Sequence, residues 1–155
     1  MRSHAEKGRL FRELHKRREI LILPNPWDAG TAKLLASLGF EALATTSLGM
    51  SNALGRIDGE GSLSRAELPE NCRVIAQATD LPVNADLENG YADDPNEAAT
   101  ILRDAAEVGI VGARSRIGAA NASTNSTTLS SAWRRAPRWR ARCQCRSRSW
   151  HGQRI

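Results

Sequence analysis

Two carboxylates, Asp86 and Glu88, stand one residue apart in the stretch Asn84-Ala85-Asp86-Leu87-Glu88-Asn89-Gly90-Tyr91. On an extended strand, residues i and i+2 point to one face, so the two acids would converge at the strand's end. Two like charges so placed raise each other's pKa unless a cation neutralises them, and Mg²⁺ is the usual hard partner for oxygen ligands. An arbitrary D-x-E is more often a solvated turn. This pair directly follows an apolar run and precedes Asn-Gly, which puts a binding role first. A second cluster, Thr45-Thr46-Ser47-Leu48-Gly49, offers hydroxyls and backbone N–H groups that could hold a carboxylate or phosphonate oxygen. Alone, it would read as a hydroxyl-rich turn. Asp58, in Gly55-Arg56-Ile57-Asp58-Gly59, lies in a long loop of the kind that often serves as a lid, although a lone aspartate there is more simply exposed.

Other candidates carry less. Cys143 and Cys145 have C-x-C spacing with His151 nearby, a weak zinc signal against which incidental cysteines are the better reading. The sequons at Asn121 and Asn125 mean little without secretion. No G-x-G-x-x-G follows the first apolar run, and no G-x-x-x-x-G-K-[ST] occurs anywhere, so nucleotide binding loses its best support.

The elements that must position these groups alternate. Leu10 to Arg18 predicts a short surface helix with Phe11 and Leu14 on one side. Ile20 to Leu23 is a continuous apolar run ending at Pro24, the mark of a buried parallel strand. Asp28 caps a helix over Ala29 to Leu38, and Gly39 stops it. Phe40 to Ala44 reads as a strand, and Ser64 as the cap of a helix over Arg65 to Thr79. Leu81-Pro82-Val83 leads into a third strand ending on Asp86 and Glu88. Asp94-Pro95 starts a helix over Asn96 to Val108, and Ile110-Val111-Gly112 begins a fourth strand. Such alternation means right-handed crossovers and a parallel sheet, either doubly wound or a (β/α)8 barrel. Both place chemistry at the carboxyl ends of the strands, where the polar groups Asn25, Asp28, Thr45 to Ser47, Asp86 and Glu88 fall.

The 155 residues suit one domain, with no apolar run of spanning length and a charged N-terminus lacking a signal core. The expectation is a cytoplasmic protein with free thiols. Its charge of +5 hides a split. Residues 1 to 112 hold twelve Lys and Arg against all seventeen acids, a net −5, whereas residues 113 to 155 hold ten arginines, no lysine and no acid. Three of the four tryptophans also fall in that second part. The arginines could meet phosphate backbones and the tryptophans could stack on bases, which keeps a basic-tailed nucleic-acid binder as the alternative.

Four segments taken together carry a more specific signal: Leu23-Pro24-Asn25-Pro26-Trp27-Asp28-Ala29-Gly30-Thr31-Ala32, Ala44-Thr45-Thr46-Ser47-Leu48-Gly49, Leu54-Gly55 with Asp58-Gly59, and Ala85-Asp86-Leu87-Glu88-Asn89-Gly90-Tyr91. In order and spacing they resemble the isocitrate lyase / phosphoenolpyruvate mutase superfamily, in its phosphonomutase-like and oxaloacetate decarboxylase-like branch. The resemblance covers about Phe11 to Gly112. It implies the N-terminal portion of a (β/α)8 barrel, about three βα units plus the start of a fourth strand. It also implies Mg²⁺, a small α-keto or dicarboxylic acid substrate, C–C or P–C bond chemistry through an enolate-like intermediate, and homo-oligomers. Carried over by position, Asp86 resembles the principal metal ligand and Glu88 a second, partly through water. Thr46, Ser47 and Leu48 resemble the loop that grips the substrate's carboxylate or phosphonate, and Asp58 the gating-loop aspartate near the reacting centre.

After the fourth strand the family expects something like Ser-Ile-Glu-Asp, whose Glu helps hold the metal. This chain has Ala113-Arg114-Ser115-Arg116-Ile117-Gly118. Those six residues can be written with codons that give Ser-Ile-Glu-Asp-Arg when read from the third base. Residues 125 to 134, with one unmatched residue, and 141 to 147 can likewise be written with codons that give family-like sequence at the same offset. The expectation is a one- or two-base frameshift near Val111 to Ala113. Residues 1–112 would then be a partial barrel, and 113–155 an out-of-frame, disordered tail. On this reading the chain belongs to an enzyme family but is inactive as written.

Overall fold

The computed structural model describes residues 1–115 except Glu60 and Asp93. The expected tail, with its cysteines, its arginine run and the nucleic-acid alternative built on them, lies outside the described residues apart from its first three positions. Within them the chain is α/β, as the alternation predicts.

The first helix, α1, spans His4–Leu14. It starts six residues earlier than the periodicity suggests because Ser3 and Glu6 form a reciprocal capping box: Ser3 Oγ accepts from the Glu6 N–H, and Glu6 Oε2 from the Ser3 N–H. Phe11 and Leu14 are its buried side, as read, and pack with Ala42 and Val111. Lys7 is buried too, its ammonium donating to the Ala76 carbonyl at 3.0 Å and the Thr79 carbonyl at 2.7 Å. These contacts lay α1 across the chain that leads into the sheet, at the end opposite the acidic residues.

The run Ile20 to Leu23 does not form the buried strand its composition suggests. Leu21 and Leu23 turn inward against the α1 cluster, while Ile20 and Ile22 are 90% and 63% exposed. A parallel strand reads as continuously apolar because both its faces are covered. Among the described residues only one face is, so the alternation returns. The segment meets the sheet where the Ala44 N–H donates to the Pro24 carbonyl.

Helix α2, Ala29–Ser37, follows its predicted Asp28 cap, with Thr31 closing the box. Strand β1 is short, Leu43–Ala44. A further helix, α3, Ser47–Ala53, occupies what the sequence presents as a polar turn. Helix α4 spans Glu67–Ala78. Ser64 does supply the expected cap contacts, its Oγ accepting the Glu67 N–H and its own N–H donating to Glu67 Oε2, but Arg65 and Ala66 form a turn ahead of the regular helix. Strand β2 is Val83–Asp86, α5 is Pro95–Glu107 behind its Asp94 cap, and β3 is Gly112–Arg114. The last strand therefore begins two residues after Ile110, where the sequence places its start, and runs past residue 112. The three strands are parallel in the order β1-β2-β3, with Leu43 opposite Val83 and Asp86 opposite Arg114. Leu43, Val83, Ala85 and Leu87 form the core with Leu68, Cys72 and Ile75 of α4 and Ile101 and Ala105 of α5. Burial pushes the Cys72 thiol up to about 12, so it stays protonated. Among the described residues no helix is long and apolar enough to cross a membrane.

Candidate functional site

Residues leaving β1 and β2 meet at the carboxyl end of the sheet. Asp86 is the last residue of β2 and half-buried. Its N–H donates to Thr45 Oγ1 at 3.0 Å, across from the end of β1. The backbone ladder of β1 stops at Ala44, and the Thr45 hydroxyl supplies the next acceptor. Thr45 is buried, and its own N–H donates to the Asn84 carbonyl at 2.8 Å. On the other side, the Leu87 N–H donates to the Arg114 carbonyl.

Asp86 and Glu88 do come together, but not by strand alternation. The strand ends at Asp86, and Glu88 stands at φ +43°, in a left-handed conformation that non-glycine residues seldom adopt. The turn is closed by the Gly90 N–H on the Leu87 carbonyl, and the Glu88 N–H donates to Asp86 Oδ1 at 3.3 Å. Tyr91, at φ +57°, packs its half-buried ring against the core, with its hydroxyl buried on the Glu88 side. Burial raises its pKa first, and the charge of Glu88, a hydrogen bond to Glu88 and the charge of Asp86 raise it further. Both carboxylates therefore act on one buried phenol. An open cavity of about 270 Å³ lies beside Glu88, lined by Glu88, Asn89, Tyr91 and Ala92 of the turn and by Gly61, Leu63 and Arg65; Asp86 is not among its lining residues.

The other expected residues are placed differently. The Thr46 hydroxyl caps α3, accepting the Gly49 N–H at 3.4 Å, Ser47 is buried in the first turn of α3, and Leu48 is half-exposed. Trp27 lies so close over Gly49 that a Cβ there would collide with its ring. The loop that carries Trp27 ahead of α2 and the start of α3 thus lie against each other. Asp58 is exposed and is not among the residues lining the cavity. Its loop is pinned at the base, where Ser51 Oγ meets Ser62 Oγ at 3.0 Å and Arg56 pairs with Glu67 at 2.8 Å. The Arg56 hydrogen bond, helped by Ser64, holds the Glu67 carboxyl down at about 2. Sequence reasoning gives no role to Arg65 or Tyr91, and it reads Thr45 as part of an anion-holding hydroxyl cluster rather than as the anchor of Asp86. The signal for Thr45 was its position one residue past the strand, where a side-chain acceptor can extend the ladder. Nothing local marks the other two.

Among the described residues no group of three His, Cys, Asp or Glu is placed to hold a metal ion. The acids at the end of β2 are Asp86 and Glu88, and β3 sets Arg114 in register with Asp86.

A family model described as phosphoenolpyruvate phosphomutase matches residues 11–132. A chain from Burkholderia cenocepacia J2315 whose crystal structure is assigned as a lyase/mutase is 47% identical, with a TM-score of 0.68, over 71% of this chain and 39% of that one. The 2,3-dimethylmalate lyase of Eubacterium barkeri is 34% identical over 92 residues, 59% of this chain and 32% of the lyase. The 2-methylisocitrate lyase of Halalkalibacterium halodurans is 30% identical over 64% of this chain and 33% of that protein. The chain spans about a third of the length of the curated relatives it matches.

Proposed function

The chain belongs to the phosphoenolpyruvate phosphomutase family, and we propose that its β1–β2 end is the metal- and substrate-binding end of a Mg²⁺-dependent lyase or mutase site for a small α-keto or dicarboxylic acid. The observation that carries this is the acid-bearing turn: two carboxylates gathered at one strand end, with the backbone of Asp86 anchored from both sides. Two carboxylate oxygens with room for water and substrate suit Mg²⁺, which is commonly held by one or two acids and its substrate. Asp86 and Glu88 would hold the ion. When bound, it supplies the positive charge that polarises a keto oxygen and steadies a developing enolate.

The protein's own groups do the rest. Thr45 fixes the backbone of Asp86 and so the direction of its carboxylate. Thr46, Ser47 and Leu48, at the start of α3, receive the far carboxylate or phosphonate of the substrate. Asp58 is the acid that its loop brings toward the reacting carbon. Arg114, in register with Asp86, sets a cation rather than a further acid on the neighbouring strand, and we assign the chain no turnover as it stands. We also propose that its reading frame departs from the family's near Val111 to Ala113. The DNA across codons 105 to 155 tests that: codons unable to yield Ser-Ile-Glu-Asp in the alternate frame end the idea.

Titration of the purified chain with Mn²⁺ as a probe tests the site. Binding lost in Asp86→Asn is expected, together with no Mg²⁺-dependent turnover of oxaloacetate, 2-methylisocitrate or phosphonopyruvate. Absence of Mn²⁺ binding would remove the metal site, and turnover abolished by Asp86→Ala would overturn the assignment of inactivity.

A further inference from the structure

Arg65 follows the loop that carries Asp58 and reaches across to the turn that carries Glu88. Its Nη1 donates to the Gly90 carbonyl at 3.1 Å and the Glu97 carbonyl at 3.3 Å. Its Nη2 donates to Thr100 Oγ1 and, at 3.1 Å, to Asp104 Oδ2. A guanidinium carries four hydrogens on its two terminal nitrogens, and here each has a protein acceptor. Although Arg65 lines the cavity, it has no free fork with which to grip a substrate anion in two-pronged fashion. Its work is directed at the protein.

The acceptors show what that work is. Gly90 closes the turn that holds Glu88, and the other three belong to α5, a rigid element packed on α4 and the core. The turn needs an external hold, because Glu88 and Tyr91 both stand in left-handed conformations that persist only where surrounding structure over-determines them. A lysine at this position could reach one or two of the acceptors but not all four, because its ammonium is a point donor on a flexible stem.

We propose that Arg65 is a positioning residue that clamps the acid-bearing turn to α5, holding Glu88 beside Asp86 and tying the exit of the Asp58 loop to the same turn. The consequence for metal binding rests on the reading of Asp86 and Glu88 as ligands; the clamp itself does not.

The test uses the full chain as Arg65→Lys and Arg65→Gln, with Asp104→Asn loosening the clamp from the α5 side. Arg73→Gln, which removes an exposed pair with Glu70, serves as the control. Circular dichroism reports the fold, amide exchange over residues 87 to 95 reports the turn, and Mn²⁺ titration reports the ligands. Exchange about tenfold faster at Gly90 and Tyr91 and Mn²⁺ affinity about tenfold weaker are expected in both Arg65 variants, with a smaller change of the same sign in Asp104→Asn and none in Arg73→Gln. Unchanged exchange in folded Arg65→Lys, or in Asp104→Asn should both Arg65 variants fail to fold, overturns the clamp. Faster exchange with unchanged Mn²⁺ affinity overturns the positioning role. If the unsubstituted chain binds no Mn²⁺, the ligand reading falls, and the exchange result alone decides whether Arg65 holds the turn.

Discussion

Thr45→Val and Thr45→Ser separate the two things this side chain does. The hydroxyl accepts the Asp86 N–H at 3.0 Å, and the methyl fills a site that is only 4% exposed. Valine keeps the branched shape but leaves the Asp86 N–H without its acceptor, which costs about 1–3 kcal/mol in general. Asp86 is half-buried, so water can partly replace the oxygen and the cost falls near the lower limit, about 1 kcal/mol. Serine keeps the oxygen and loses a buried methyl, a cost of about 1 kcal/mol as well. Urea unfolding should therefore show two similar losses. Mn²⁺ titration should not: only valine frees the backbone that aims the Asp86 carboxylate. About 1 kcal/mol of lost orientation corresponds to roughly fivefold weaker binding. Serine should bind within about twofold of the unsubstituted chain on the same scale. Equal weakening in both variants, or none in valine, would refute the argument that the hydroxyl positions Asp86.

Three further outcomes follow from the packing and the charges. Lys7→Met removes the donor from two buried carbonyls at the end of α4 and should cost about 1–3 kcal/mol by urea unfolding. Burial lowers the folded-state pKa of Lys7, so the unfolded chain binds more protons just below the ordinary lysine value. The stability advantage of the unsubstituted chain over Lys7→Met should accordingly grow as pH rises from about 8 to about 10. Tyr91 is the one tyrosine of the chain, and its phenolate absorbance should appear well above pH 10, with a lower midpoint in Glu88→Gln. Its folded pKa is raised, so the folded state holds the proton longer and stability falls as pH climbs past the unfolded value. Gly112→Ala puts a Cβ 2.5 Å from Phe11 Cε1 and 2.8 Å from Asn84 Oδ1. A thermal melt should show a loss of about 1–3 kcal/mol, partly restored by Phe11→Leu.

Local chemistry made several elements legible without coordinates. Asp28, Ser64 and Asp94 each announce a helix start, because a side-chain oxygen three residues ahead of unpaired N–H groups works wherever the helix is packed. The spacing of Phe11 and Leu14, and of the apolar residues of α4 and α5, gives their buried sides for the same reason: a helix carries its own period. The family was legible too, since the four matching segments are contiguous and need no three-dimensional knowledge to compare.

Strand limits and the geometry of the site were another matter, because they depend on neighbours remote in sequence. Ile20 to Leu23 has the composition of a covered strand, yet Ile20 and Ile22 face outward and are largely exposed. Thr46-Ser47-Leu48 reads as a hydroxyl-rich turn, yet it opens a helix and spends the Thr46 hydroxyl on its cap. Asp86 and Glu88 were expected to meet through a pleat, and they meet through a left-handed turn held by Arg65 from 25 residues away in sequence. The sequence by itself determined which residues carry charge, that α1, α2, α4 and α5 form, and which family the chain resembles, since those follow from side-chain chemistry and short-range spacing. Only the tertiary structure decided that Thr45 anchors Asp86, that the Tyr91 hydroxyl is buried between the acids and the core, and that Arg65 spends its hydrogen bonds on protein. Each of these rests on a contact whose partners are brought together by folding.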